Sequence, residues 1–204
     1  MGYTHYWKRE KEISTKKMTA ILSDFKKVFP HLNANIDFVG QGGFGDPTMT
    51  IDEVSFNGRS DCGHKKYEFD VVWPVKNALK FAQQYKQNEQ VQSWLDGAEL
   101  EKRMCCGDCS HEPFIFNRVY KPETWEKSKE GKYFSCCKTA FKPYDLAVIT
   151  FLIIAKKHLG CAIDVSSDGQ DYHWFDAKLI CQMVLGYGLS FDVDEGVFAN
   201  VRMA

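Results

Sequence analysis

The densest coordinating chemistry in the chain lies in Cys105-Cys106-Gly107-Asp108-Cys109-Ser110-His111. Cys106 and Cys109 form a C-x-x-C knuckle. Its internal glycine permits the tight backbone turn that lets two thiolates reach one tetrahedral zinc. A second pair must complete such a site. His111 is adjacent, and Cys136-Cys137 follows downstream, with Cys105 also at hand. The expectation is a structural zinc on Cys106, Cys109, His111 and Cys136. Two other readings stay open: a redox dithiol, which would want the motif to open a helix after a buried strand, and free thiols on a surface loop. Neither H-E-x-x-H nor H-x-E accompanies the cysteines, which argues against a catalytic zinc.

A second chemistry gathers at two chain reversals. Lys138, Thr139 and Lys142 precede a helix start, and Ser166, Ser167 and Asp168 form a turn after the next strand. Two lysines beside a helix N-terminus can hold an anion. The competing reading is that the lysines are solvated and the short polar residues cap turns. At the N-terminus, Tyr3, His5 and Trp7 share one face of a period-two segment, with Thr4 and Tyr6 on the other. Such residues either fill a core or line a ligand pocket. With Asn57 at a strand end, the expected ligand contacts are Tyr3, His5, Trp7, Asn57, Lys138, Thr139, Lys142, Ser167 and Asp168.

Other motifs point away from known catalysts. Gly40 to Gly45 spells G-x-G-x-x-G, but Asp46-Pro47 follows where a dinucleotide fold needs a helix. The loop reads as a hairpin connection. His5, His64, Asp145, Asp168 and His173 are available acid–base groups, yet none falls into a recognised nucleophile, metal or paired-carboxylate spacing.

The elements that must position these residues are legible. Met18, Ile21, Leu22, Phe25, Val28 and Phe29 make one apolar helical face after a Ser14 or Thr15 cap, with Pro30 expected to end it. Strands are expected near 36–39, 49–51, 54–58 and 67–73, too close together for helices between them, hence antiparallel. One or two helices are expected within 77–94. Tyr133 to Cys137 reads as a strand. A helix follows with Pro143 at its first turn, Asp145 near its N-terminus and Gly160 as C-cap, apolar nearly all round from Leu146 to Ile154. Cys161 to Val165 is the returning strand, with Cys161 and Cys181 as core thiols. A last helix runs from Asp171 to Leu185. The fold class is α+β: an antiparallel sheet packed on two or three helices, with a cysteine-containing insertion. Residues 1–204 form a single domain in which 76–132 is an insertion or elaboration.

Composition bounds the function. The chain has 204 residues, is 44% hydrophobic and carries a net charge of −1. That balance gives no global attraction for nucleic acid or anionic lipid. The N-terminal stretch lacks a signal-peptide h-region, and no run is long enough to span a membrane. Eight cysteines without a secretion signal point to a reducing cytoplasm.

Three segments, Gly2 to Trp7 (GYTHYW), Cys137 to Asp145 (CKTAFKPYD) and Ser166 to Gly169 (SSDG), resemble a group of uncharacterised bacteriophage and prophage proteins. The resemblance implies a phage accessory protein in the host cytoplasm and supplies no mechanism. Residues 76–132 are outside its pattern. Three functional readings follow. One is a binding protein for a small anionic, nucleotide-like ligand, with a counter-defence role by analogy to phage lifestyle. A second is an interaction protein that inhibits a host enzyme through 76–132. The third is an enzyme acting on nucleotides, which the sequence favours less.

Overall fold

The computed structural model describes residues 3–33, 38–64, 67–69, 103–105 and 107–198. The expected helices within 77–94, the end of the strand near 67–73 and Cys106 lie outside them. The class is α+β, with three α-helices and antiparallel sheets among the described residues.

Strand β1 (Thr4–Glu10) is the centre of a three-stranded antiparallel sheet. It lies between β8 (Lys132–Lys138) and β9 (Ile163–Ser167). Its period-two pattern sends His5, Trp7 and Arg9 into the interior and Lys8 to solvent. Registry places His5 between Cys137 on β8 and Ser167 on β9. Helix α1 (Thr15–Asn33) starts as expected, with Ser14 Oγ accepting the Lys17 amide. It does not stop at Pro30, which lies inside its last turn. Leu32 falls four residues after Val28 and is 1% exposed, so continuing the helix extends the buried stripe. That gain offsets the single backbone bond a late proline removes.

A second sheet is centred on β4 (Glu53–Gly58). It pairs with β7 (Phe114–Asn117), β2 (Phe38–Val39) and β3 (Thr48–Met49). β2 and β3 meet successive residues of β4, so the glycine loop is an excursion between two pieces of one edge, closed by Gly40 N–H donating to the Gly45 carbonyl. A further ribbon pairs β5 (Tyr67–Phe69) with β6 (Arg103–Cys105), Tyr67 opposite Cys105.

Helix α2 (Asp145–Leu159) is buried without a break from Asp145 to Lys156. This is what an all-round apolar sequence requires. Gly160 caps it at φ 59°. The last helix begins as a 3₁₀ turn, Asp171–Trp174, before α3 (Phe175–Leu185), and β10 (Phe191–Asp192) pairs with β11 (Val197–Phe198).

One aromatic cluster joins these pieces. Phe25 of α1 stacks on Phe56 of β4 at 5.8 Å and meets Phe151 of α2 edge-on at 5.2 Å. Phe114 and Phe116 of β7 contact Phe151, and Trp7 packs on Phe114 at 5.4 Å. The described part of 76–132 thus supplies Phe114 and Phe116 to this core cluster. Trp7, expected as a ligand contact, is 2% exposed within this cluster. Its alternation with Tyr6 placed it on the inner face of β1. Trp7→Ala is expected to cost about 3–5 kcal/mol, since the cavity cannot collapse among rigid rings; urea unfolding would measure it. Cys181 is buried as expected, whereas Cys161 is exposed. The 3₁₀ turn Gly160–Ala162 precedes β9 and holds no buried residue.

No helix among the described residues is long and apolar enough to cross a membrane.

A thiol–imidazole cluster and a three-segment junction

Cys62, His64, Cys105 and Cys109 come together, with one ligand atom from each lying within 4.8 Å of the others. Cys62 Sγ is 3.1 Å from Cys105 Sγ and 3.5 Å from Cys109 Sγ, and Cys109 Sγ is 3.5 Å from His64 Nδ1. Tetrahedral zinc, with Zn–S of roughly 2.3 Å, holds its ligand atoms about 3.5–3.8 Å apart. Two of these separations match that spacing and the Cys62–Cys105 one is shorter, so the group has the donor set and close packing that could hold a metal ion.

Local structure explains the gathering. The β5–β6 register brings the residues before β5 beside those after β6. Gly63 (φ 74°) separates Cys62 from His64, and Gly107 (φ 87°) separates Cys105 from Cys109. Both turns use the left-handed region that glycine enters without steric cost. Gly58 permits the close approach of the second loop: a Cβ there would fall 2.1 Å from the Cys109 carbonyl oxygen. Burial pushes the Cys109 thiol up, and the neighbouring thiols push it further. Three sulfurs this close share negative charge poorly unless a cation joins them.

This differs from the expected ligand set. Cys109 belongs to the group, and Cys106 lies outside the described residues. The ring of His111 is engaged elsewhere, its Nδ1 at 2.7 Å from the Lys138 carbonyl oxygen. Cys136 is exposed on β8, paired across the sheet with Tyr6. Strand alternation decides this: its neighbour Cys137 takes the inner face. Cys62-Gly63-His64 was the overlooked half, a C-G-H in which glycine again separates two ligands.

The second feature is a polar junction deep in the protein. Asp145, the first residue of α2, is fully buried. Its Oδ1 accepts from His5 Nε2 at 2.6 Å and from Thr139 Oγ1 at 2.5 Å. Its Oδ2 accepts from Arg103 Nε at 2.9 Å. The same guanidinium donates to the Asp176 carboxylate on α3. On the other side of the imidazole, Ser167 Oγ lies 2.9 Å from His5 Nδ1 and accepts the Gly169 amide at 3.0 Å. The ionised Asp145 can only accept, so His5 Nε2 carries the proton of this bond.

Three separate segments meet here: His5 from the N-terminal strand, Thr139 and Asp145 from residues 137–145, and Ser167 and Gly169 from residues 166–169. Tyr3 completes the contact. Its carbonyl accepts the Thr139 and Ala140 amides, and its ring packs on Phe141 at 4.8 Å. Its hydroxyl lies against Gly169, where a Cβ would fall 2.1 Å away. Gly169→Ala must therefore displace Tyr3 from the junction. The expected cost is about 1–3 kcal/mol from overpacking, read as a lower urea midpoint together with altered Tyr3 ring signals in NMR spectra.

Burial alone would push the Asp145 carboxyl up. The charges of His5 and Arg103 and the bonds from His5 and Thr139 outweigh it and hold the group down at about 2. A depressed carboxyl stabilises the fold above its unfolded value and loses that contribution as pH falls toward the folded one. The contribution is on the order of 2 kcal/mol, lost between about pH 4 and pH 2. Unfolding measured across this range should show the loss in the wild type and a flatter profile in Asp145→Asn.

The nine expected ligand contacts divide. His5 and Thr139 point into the junction and Trp7 into the core. Asn57 is buried, bonding the Gln41 and His111 carbonyls through its amide nitrogen and the Gly58 and His111 amides through its oxygen. Lys142 Nζ donates to the Asp108 carbonyl. Asp168 accepts the Thr4 amide and the Tyr6 hydroxyl. Tyr3, Lys138 and Ser167 are half-buried at the end of the β1 sheet. Sequence spacing pointed to His5 and Asp145 separately; Arg103 was missed, because arginine is seldom buried and nothing local marks this one.

Serine, histidine and aspartate here stand in the order of nucleophile, base and orienting carboxylate. The imidazole is sealed from solvent, and the second carboxylate oxygen is committed to Arg103. Chemically the arrangement is a lock holding β1, β9, α2 and β6 together. No family model, curated protein or solved structure matches the chain.

Proposed function

We propose that this chain is a phage accessory protein that acts by binding. A zinc-closed scaffold presents the end of the β1 sheet to a small anionic, nucleotide-like ligand in the host cytoplasm. The observation that carries the reading is the convergence of residues 3–7, 137–145 and 166–169 on His5. Interior contacts absorb His5, Thr139 and Asp145, so the ligand meets what remains at that end: Lys138 for charge, and Tyr3 and Phe141 for stacking. Three thiols with one imidazole select zinc over oxygen-seeking cations. The resemblance supports the phage setting and, through it, a counter-defence role.

The protein purified from infected cells should release one zinc and a stoichiometric small anion on denaturation. Lys138→Ala should lose the anion and keep the zinc. An anion retained in full by Lys138→Ala would move the ligand site elsewhere. Covalent labelling of Ser167 by a fluorophosphonate would overturn the binding reading in favour of an enzyme. The second reading, an inhibitor of a host enzyme, draws on Trp125, which is 76% exposed in the 121–132 connection. A host protein retained by the wild type and lost in Trp125→Ala would favour it.

A further inference from the structure

The cysteine pair Cys105 and Cys109 sits on a short stretch anchored at both ends to the three-segment junction. Upstream, Arg103 is two residues from Cys105 on β6, and its guanidinium bridges Asp145 of α2 and Asp176 of α3. Downstream, the chain docks on residues 137–144. The Asp108 carbonyl accepts Lys142 Nζ, and His111 Nδ1 bonds the Lys138 carbonyl. The Glu112 carbonyl accepts the Tyr144 hydroxyl at 2.6 Å, and its carboxylate accepts the Lys138 amide at 2.8 Å. The Cys105–Cys109 stretch thus runs between Arg103 on one side and His111 and Glu112 on the other, with the Asp108 contact inside it, all reaching the same place.

We infer that metal occupancy and closure of this junction form one linked equilibrium, with Arg103 as the positioning residue that couples them. The inference rests on the zinc reading above and goes beyond it. Placing Cys105 and Cys109 on the ion requires the 103–112 stretch to be seated, and seating it requires the guanidinium between the two carboxylates. Linkage is reciprocal: what weakens the clamp weakens the metal, and losing the metal loosens the clamp. Arg103 touches no ligand atom of the cluster, so an effect on metal affinity must travel through the backbone of β6. The junction would then be complete only in the metal-loaded protein, and zinc supply would set how much chain presents the proposed ligand face.

The test is zinc affinity measured by competition with a chromophoric chelator, on folded protein checked by circular dichroism. Asp176→Asn removes one end of the clamp at a distance from the cluster. Arg103→Lys keeps the charge but cannot span both carboxylates. Both should bind zinc about 10- to 100-fold more weakly than the wild type, the range seen when residues that orient metal ligands are replaced. Lys132→Ala, which breaks only the exposed pair with Asp164, should leave affinity unchanged. Removing zinc from the wild type should also shift the NMR signals of the His5 ring. Wild-type affinity in both folded variants would overturn the coupling while leaving the metal site standing. A wild type that takes up no zinc would overturn the zinc reading itself.

Discussion

Arg103→Met should destabilise the protein by about 3–5 kcal/mol, a large share of the 5–15 kcal/mol typical of a folded domain. The guanidinium is 3% exposed and is ion-paired to two carboxylates that are themselves inside. Burial works against the charge of Arg103, but Asp176 and Asp145 outweigh it and raise its pKa. Removing the cation leaves Asp145 with His5 and Thr139, and Asp176 with little beyond the Ala177 amide. Two carboxylates would then face each other's charge without water. The decisive comparison is the triple replacement Arg103→Met, Asp145→Asn, Asp176→Asn. Neutralising every member of a buried ionic group costs far less than removing one, so the triple variant should regain part of what the single one loses. Urea unfolding measures both. A single variant within about 1 kcal/mol of the wild type would mean that the interior tolerates the unpaired carboxylates, and the lock would lose its energetic meaning.

Removal of metal should have the second large effect. For a native state that alone binds an ion, stabilisation grows with the logarithm of free metal over its dissociation constant, reaching about 4 kcal/mol at a thousandfold excess. A strong chelator should therefore lower the melting temperature by several degrees or more, and zinc should restore it. Cys109→Ser should melt like the chelated wild type, and chelator should not lower it further. Cobalt(II) supplies an independent readout, since a tetrahedral site with three thiolates colours the protein. Superimposable melts with and without chelator would remove zinc from the account. The two effects are not additive if the clamp and the cluster are coupled: Arg103→Met should shrink the response to chelator.

Much of the fold was legible in the chain. The stripe of α1 from Met18 to Phe29, the all-round apolarity of α2 and the glycine at its end are local patterns with one physical solution each. Alternation along β1 also separated His5 and Trp7 from Thr4 and Tyr6. It could not say whether that face met a ligand or a core, because tyrosine, histidine and tryptophan serve both. The stop at Pro30 failed for a related reason: a local breaker yielded to a tertiary gain at Leu32.

The candidate site was half legible. Cysteines around a glycine pointed to a metal knuckle, and Cys109 joins a group that could hold a metal ion. Its partners did not follow from spacing. Cys62 and His64 reach Cys105 only through the β5–β6 register, a pairing between segments more than thirty residues apart. Asp145 showed itself only as a helix start; that it also holds His5, Thr139 and Arg103 depends on how β1, β6 and α2 pack.

The amino-acid sequence by itself determined the class of the fold, the helices with a single apolar pattern and the presence of thiol chemistry, because each is encoded over a few turns or strand residues. Only the tertiary structure decided which thiols gather, that three distant segments share one carboxylate and that a buried arginine two residues from Cys105 bridges that carboxylate to Asp176. The reason is physical. Coordination and buried charge pairing are contacts between residues far apart in the chain, and their energy exists only once the strands that carry them are in register.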